Sequence, residues 1–387
     1  MKKKIAILGS TGSIGKSLLN IVSKDVINFD IILLTAKKNY KKLLIQAKKF
    51  NVKNIIITDK MYFLKAKEKN NNNRINIYNN FTELNKIFKK KIDYTMSSIM
   101  GIDGLYPTIE MIKHTKKIAI ANKEPIICAW NLIKKELRKN KTEFIPVDSE
   151  HFSIWYALKN TDISKVEKIY LTASGGPLLN SSIKNFDKLK LSQILNHPNW
   201  KMGKKISIDS STMMNKVFEI IEAKKIFDIS YNKLSILIHP KSYIHAILKL
   251  TDGMIKIIAH DTTMEIPIFN TIYNKKNNKI KTKNLSLDKL NNLNLTLADY
   301  KRFPLLKILN KLPKKNSLYE TVIVAGNDEL VNLYLQKKIK FTDIHKKLFK
   351  LLKTNDFNKY KRIVPKNVSE INKLNQYVRF KVNSKSI

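Results

Sequence analysis

Short apolar runs separated by polar, lysine-rich stretches mark the first 150 residues, at positions 5–8, 29–34, 54–58, 94–97, 117–121 and 144–147. Each run is strand-sized. The segments between them carry a helical pattern, the first from about Ser13. Alternation of this kind predicts a parallel sheet covered by helices, whose ligands gather at the carboxyl ends of the strands. Four features fall at those ends: the glycine loop from Gly9 to Gly15, Lys37-Lys38-Asn39, Asn122-Lys123-Glu124 and Asp148-Ser149-Glu150. From about 151 to 273 the pattern becomes that of a mixed sheet. Positions 234–238, 242–250 and 254–259 read as strands, the last two joined as a hairpin through Thr251-Asp252-Gly253. Residues 274–283 are polar and lysine-rich, as in a linker. Beyond Leu297 the periodicity is helical, at Leu305, Leu306, Ile308 and Leu309, then over 322–335 and 344–352.

With 387 residues and 43% hydrophobic content, the chain is long enough for two or three domains with a sizeable core. No apolar stretch approaches the roughly 18 residues of a membrane helix, and the four-residue run after Lys2-Lys3-Lys4 is too short for a signal peptide. A soluble, cytoplasmic protein without membrane association is expected. The single cysteine, Cys128, excludes an internal disulfide and lies in an apolar run, which favours an inert buried thiol. A net charge of +42 invites a nucleic-acid reading, but lysine is scattered from Lys2 to Lys385 among isoleucine and asparagine. Compositional bias with weak nonspecific adhesion is expected, and no specific nucleic-acid partner.

Glycines at a strand-to-helix turn let the backbone approach a pyrophosphate, whose charge meets the helix N-terminus. Here the spacing is G-x-x-G-x-x-G, with Ser10 where the usual dinucleotide fingerprint has glycine. After the second strand an NAD site wants an acidic residue for the ribose. This chain has Lys37, Lys38 and Asn39, which suit the 2'-phosphate of NADPH, while a solvated lysine pair is the plainer alternative.

Asp148, Glu150 and Glu219 offer only oxygen, which favours Mg2+ or Mn2+, with Co2+ a further candidate. Alternation at a strand's end is expected to turn Asp148 and Glu150 to one side. Glu219 falls on a helical segment with Asn215 at i−4 and Lys216 at i−3. Ser174-Gly175-Gly176-Pro177 follows a strand-like run and offers a hydroxyl and open amides to a phosphate, or is a plain turn. The segment 197–203, His-Pro-Asn-Trp-Lys-Met-Gly, has the composition of a gating flap, although His197 alone could be structural.

These blocks, with Ala121 to Glu124, Pro146 to His151, Leu171 to Pro177, Ser207 to Ser210, Thr212 to Lys216 and Ile238 to Pro240, resemble in order the 1-deoxy-D-xylulose 5-phosphate reductoisomerase family over about two thirds of the chain. The resemblance implies NADPH- and metal-dependent isomerisation and reduction of that phosphosugar to 2-C-methyl-D-erythritol 4-phosphate, in isoprenoid precursor biosynthesis, by a homodimer. It implies that Asp148, Glu150 and Glu219 hold the cation. Ser149, Ser174, His197, Ser210, Asn215 and Lys216 would hold the substrate's phosphate and hydroxyls, with Lys123 at the reacting end. Thr11, Gly12, Ser13, Ile14, Lys37, Lys38, Asn39, Asn122, Glu124 and Gly203 would line the NADPH site. Lys37 stands where the family usually has glycine, and Ala173 precedes Ser174 where glycine is common. The expected architecture is α/β: an N-terminal Rossmann-like NADPH domain (1–148), a central α+β catalytic and dimerisation domain (149–273), a linker (274–298) and a small C-terminal helical domain (299–387). Two rival readings are a plain NADP-dependent dehydrogenase and a nucleic-acid binder. The first needs no set of three oxygen ligands beside a phosphate pocket, and the second needs no strand-end glycine loop.

Overall fold

The computed structural model describes residues 1–70, 74–200, 202–273 and 279–384. Its contacts divide the chain into two compact units. The first comprises residues 1–125, 132–152 and 264–280. It is built on a seven-stranded parallel sheet of β1 (Lys3–Leu8), β2 (Phe29–Ala36), β3 (Asn54–Ile57), β4 (Asn76–Tyr78), β5 (Tyr94–Ser97), β6 (Lys117–Ile120) and β7 (Glu143–Pro146). The spatial order is β4-β3-β2-β1-β5-β6-β7. Strand order therefore reverses at β1, where β2 lies on one side and β5 on the other, and this switch point opens the ligand crevice of such sheets. Ile5, Ile7, Leu34, Ile55, Ile57 and Met96 are buried with Leu18 and Val22 of the helix Ser13–Ser23 and Leu43 and Ala47 of the helix Tyr40–Lys49. Strands covered on both faces read as continuous apolar runs, which is why their positions were legible. β4 was not foreseen, because its three residues, Asn76 to Tyr78, carry no such run.

The helix Glu265–Ile272 also belongs to this unit, whereas patterning assigned residues up to 273 to a central domain. Its Ile268 and Ile272 are 0% and 1% exposed in the core formed by the first sheet. Each such burial contributes about 1.5–3 kcal/mol. The Thr271 hydroxyl meets the Tyr94 hydroxyl at 2.7 Å.

The second unit comprises residues 126–131, 153–263 and 281–387, described as far as 384. Its sheet is mixed, in the order β11-β10-β8-β9-β12, from β8 (Val166–Ala173), β9 (Leu234–Ile238), β10 (Ile244–Leu250), β11 (Ile255–Ala259) and β12 (Thr296–Leu297). β8 and β9 run parallel and the other pairs antiparallel. The β10–β11 hairpin turns where expected, with Gly253 at φ +89°. Near the end of the expected linker over 274–298, Thr296 and Leu297 of β12 pair with Ile238 and Leu237. Residues 274–278 of that linker lie outside the described residues.

The helices Tyr319–Leu335, Phe341–Lys353 and Val368–Asn383 complete this unit. Asn327, fully buried, donates to Asp209 Oδ1 at 2.8 Å and ties the longest of them to the helix Lys204–Ser211. Three domains and a linker were expected, and the contacts instead group the mixed sheet with the C-terminal helices.

Candidate functional site

In the first unit, Gly9 follows β1 and takes φ +80°, a left-handed conformation favouring glycine. A Cβ there would fall 2.9 Å from the Ser98 carbonyl oxygen, so the loop and the segment after β5 approach backbone to backbone. At Gly15 a Cβ would lie 2.5 Å from Ser10 Cα and 2.6 Å from the Gly9 carbonyl oxygen, so only glycine lets the helix Ser13–Ser23 seat against its own loop. That helix carries no acidic residue in its first turn and no side-chain cap on Gly12. Its amino end thus keeps the positive character that suits a pyrophosphate. Thr11 and Ile14 are half-buried, and Gly12 and Ser13 are exposed.

Beyond β2, Lys37, Lys38 and Asn39 are exposed. Asn39 caps the helix Tyr40–Lys49 by accepting from the Lys42 amide. Lys37 reaches Asp103 at 2.7 Å, an ion pair that sequence reasoning missed because 66 positions separate the partners. Beyond β6, Asn122 and Glu124 are buried, and the Asn122 amide nitrogen donates to the Gly101 carbonyl at 3.4 Å. The Asn122 side-chain oxygen, Oδ1, is buried with no hydrogen-bond partner among the described residues. An orphaned acceptor there, together with the glycine cradle at residues 9–15, fits a dinucleotide that brings its own donors.

β7 ends at Pro146, and Ser149 begins the helix Ser149–Leu158. Asp148 and Glu150 therefore share a strand-to-helix turn, and strand alternation is not what pairs them. Asp148 Oδ1 takes His151 Nδ1 at 3.0 Å, and Oδ2 is paired with the Lys123 ammonium. Burial pushes the Asp148 carboxyl up, but Lys123 and His151 more than offset this and hold it well below the usual carboxylate range. The Ser149 hydroxyl donates to Glu150 Oε2 at 2.6 Å. His151 was not singled out, although its place three residues after Asp148 at a helix start was a usable signal.

In the second unit, Ser174 follows β8 and precedes two left-handed glycines, Gly175 at φ +81° and Gly176 at φ +68°. That turn brings the Gly176 amide onto the Ser174 hydroxyl at 3.0 Å. His197 Nε2 lies 2.9 Å from the same hydroxyl. His197 Nδ1 accepts from the Asn199 and Trp200 amides at 3.2 and 3.1 Å, so the ring's own hydrogen sits on Nε2 and points at Ser174. Burial lowers the His197 pKa to about 4. With two donors already on its oxygen, Ser174 has its hydroxyl hydrogen left to donate.

A Cβ on Gly176 would lie 3.1 Å from the Ser210 carbonyl oxygen, so the turn and the end of the helix Lys204–Ser211 are in close contact. On the helix Met214–Phe227, Asn215 donates to Glu219 Oε1 at 2.5 Å, and Lys216 is paired with Oε2. Lys216 also donates to the Thr172 carbonyl of β8 at 2.5 Å. Asn199 anchors the segment after His197 to the Pro240 carbonyl and the Ser242 hydroxyl, at 2.5 and 2.9 Å. Trp200 sets its ring edge-on to His245, with centroids 6.2 Å apart. Gly203 is exposed, and Lys201 lies outside the described residues.

Comparison with known proteins agrees along the whole chain. Residues 5–130 match the family model of 1-deoxy-D-xylulose 5-phosphate reductoisomerase, and 144–227 and 261–381 match two models of C-terminal domains of the same enzyme. The 1-deoxy-D-xylulose 5-phosphate reductoisomerase of Pelagibacter ubique (strain HTCC1062) is 58% identical over 387 residues, covering 100% of both chains. That of Sulfurihydrogenibium sp. (strain YO3AOP1) is 37% identical over 92% of each. Among solved structures, the Zymomonas mobilis enzyme in complex with NADPH superposes with a TM-score of 0.88 at 31% identity over 100% of both chains. A DOX-P reductoisomerase in complex with NADPH, fosmidomycin and magnesium gives 0.90 at 29% identity, covering 99% of this chain and 98% of that one.

Proposed function

The chain belongs to the 1-deoxy-D-xylulose 5-phosphate reductoisomerase family, and from that premise we propose that it converts 1-deoxy-D-xylulose 5-phosphate to 2-C-methyl-D-erythritol 4-phosphate with NADPH and a divalent cation. One observation carries the reading: a dinucleotide cradle after β1 and paired oxygen donors, Asp148 and Glu150, after β7 stand at the carboxyl ends of one parallel sheet. A plain dehydrogenase needs only the first. Metal-assisted rearrangement followed by hydride transfer needs both.

Asp148, Glu150 and Glu219 would hold the cation. An all-carboxylate set suits Mg2+ or Mn2+, and the His151 contact fixes which way the Asp148 carboxylate faces. When bound, the cation supplies Lewis-acid polarisation of the substrate carbonyl and NADPH supplies the hydride. Lys123 and Lys216 place positive charge beside the carboxylates. Ser174, Ser210, Asn215 and Lys216 would bind the substrate's phosphate and hydroxyls, together with Ser149. Ser174 contributes its remaining hydroxyl hydrogen, and neutral His197 orients it. Thr11, Gly12, Ser13 and Ile14 would cradle the pyrophosphate, with Asn122, Glu124 and Gly203 along the rest of the cofactor. Lys38 and Asn39 would take the 2'-phosphate, and Lys37 contributes less because Asp103 engages it. The segment 197–204 would close over the bound substrate.

A homodimer is supported by β11, which forms one edge of the mixed sheet. Its Ile255 and Ile257 and the preceding Met254 are 56%, 49% and 64% exposed, an apolar edge that a second copy would cover. A cytoplasmic setting is supported by the lone buried Cys128, which needs no oxidising compartment. The test is NADPH oxidation with 1-deoxy-D-xylulose 5-phosphate and Mn2+. Turnover that survives metal removal, or that runs equally well on simple 2-hydroxy ketones, would favour an ordinary dehydrogenase.

A further inference from the structure

Ser10 departs from the dinucleotide fingerprint, and its surroundings explain how the departure is accommodated. The residue is fully buried, so its side chain faces the protein interior. There its hydroxyl donates to Gln46 Oε1 at 2.8 Å, while Gln46 Nε2 donates back to the Ser10 carbonyl at 3.0 Å. Gln46 is itself 8% exposed, on the helix Tyr40–Lys49. Three more bonds tie the same stretch to Thr35: Gly9 N–H to its Oγ1 at 2.9 Å, Ser10 N–H to its carbonyl at 3.0 Å, and a longer contact of the Ser10 hydroxyl with that carbonyl at 3.4 Å. From the other side, Gly15 seats its helix on Ser10 Cα.

The Gln46 bond to the Ser10 carbonyl is the informative one. A trans peptide is planar, with its C=O and N–H pointing in opposite directions. Holding the Ser10 carbonyl toward Gln46 therefore turns the Thr11 N–H the opposite way, away from Gln46. Removing Gln46 would leave a buried carbonyl and a buried hydroxyl without this partner, and that peptide plane would be free to rotate to recover their bonds. The helix that carries Gln46 begins directly after Lys37-Lys38-Asn39, so one rigid element touches both the loop and the residues suited to a 2'-phosphate.

We infer that Gln46 is a positioning residue for the dinucleotide: through the Ser10–Thr11 peptide it orients the Thr11 amide toward the pyrophosphate and sets NADPH affinity without touching the cofactor. This rests on the NADPH reading above. Glycine at position 10 could offer the carbonyl but not the hydroxyl, so Ser10 and Gln46 act as a matched pair.

The experiment is an NADPH titration by fluorescence in the absence of substrate, on the full-length wild type, Gln46→Leu, Ser10→Ala and the double variant. Alongside it, kcat and the KM for 1-deoxy-D-xylulose 5-phosphate are measured at saturating NADPH. Gln46→Leu is expected to weaken NADPH about tenfold, the equivalent of one lost hydrogen bond, with kcat and sugar KM within about twofold of wild type. Ser10→Ala keeps the carbonyl bond and should weaken it less. Adding Ser10→Ala to Gln46→Leu should cost little further, because the hydroxyl has already lost its short bond to Gln46 and keeps only the 3.4 Å contact with the Thr35 carbonyl. Amide exchange at residues 10–12 of the cofactor-free protein should speed up in Gln46→Leu while the strands stay protected. Equal NADPH affinity in wild type and a folded Gln46→Leu overturns the proposal, and so does a loss spread evenly over NADPH and sugar. If Gln46→Leu does not fold, Gln46→Met, which keeps the length of the side chain and removes its donor to the Ser10 carbonyl, decides in its place: unchanged NADPH affinity and exchange overturn it. A wild type that fails to bind NADPH at all overturns the cofactor reading as well.

Discussion

His197 and Ser174 form a pair in which the histidine is the donor: two backbone amides occupy Nδ1, leaving the Nε2 hydrogen to meet the serine oxygen at 2.9 Å. The pair therefore depends on a neutral ring, because its Nδ1 must accept. Burial supports this by lowering the pKa from 6.5 to about 4. The unfolded chain then binds a proton that the folded one refuses, and stability falls as pH drops through that window. In His197→Gln, whose amide can both accept and donate, the thermal midpoint should decline less steeply between pH 6.5 and about 4. Parallel midpoint curves for the two proteins would remove His197 from the acid response.

Glu219 is almost completely buried, with Asn215 on one oxygen and Lys216 on the other. Glu219→Gln keeps the shape and removes the charge, so Mn2+ binding measured by calorimetry should weaken sharply. The drop in kcat/KM should be at least about a hundredfold, comparable with deleting one preorganised electrostatic group. A chelator should abolish wild-type turnover, and Mg2+ or Mn2+ should restore it. Wild-type metal affinity in the variant would take Glu219 out of the metal shell.

Lys38 and Lys37 are neighbours with different engagements, since Lys37 pairs with Asp103. Lys38→Ala should weaken NADPH far more than NADH, by about 1.5–3 kcal/mol for a charge-assisted bond. Lys37→Ala should change NADPH affinity less, because both groups of its pair are more than 60% exposed and the pair itself is worth at most about 1 kcal/mol. Equal penalties on the two cofactors in Lys38→Ala would argue against a 2'-phosphate contact.

Trp200 sits edge-on to His245 in the segment whose amides hold His197. Closure over substrate would change the indole's surroundings. Because Trp130 and Trp155 also emit, the relevant quantity is the difference in ligand-induced fluorescence between wild type and Trp200→Phe, with metal and NADPH present. A difference of zero, or unimpaired turnover in Trp200→Ala, would show that this segment is no lid.

Much of this protein is written locally. The strand at residues 5–8 reads as apolar because both faces of its sheet are covered, and the three glycines of the loop sit at fixed offsets where a turn meets a helix. The i, i+4 and i, i+3 spacings of Asn215 and Lys216 to Glu219 put all three on one helical face, as the bonds among them show. Such features depend on neighbours a few residues away, which is the range over which periodicity and motif spacing carry information. The helix Glu265–Ile272 joining the first sheet's core, the pairing of β12 with β9, and the contacts of Gln46 with Ser10 and of Lys37 with Asp103 depend on partners brought close by the path of the chain. Residue type says that Gln46 can offer a donating amide nitrogen and an accepting oxygen. Only the packing of its helix against the glycine loop selects the Ser10 hydroxyl and carbonyl to receive them, because burial leaves those groups no water to bond instead.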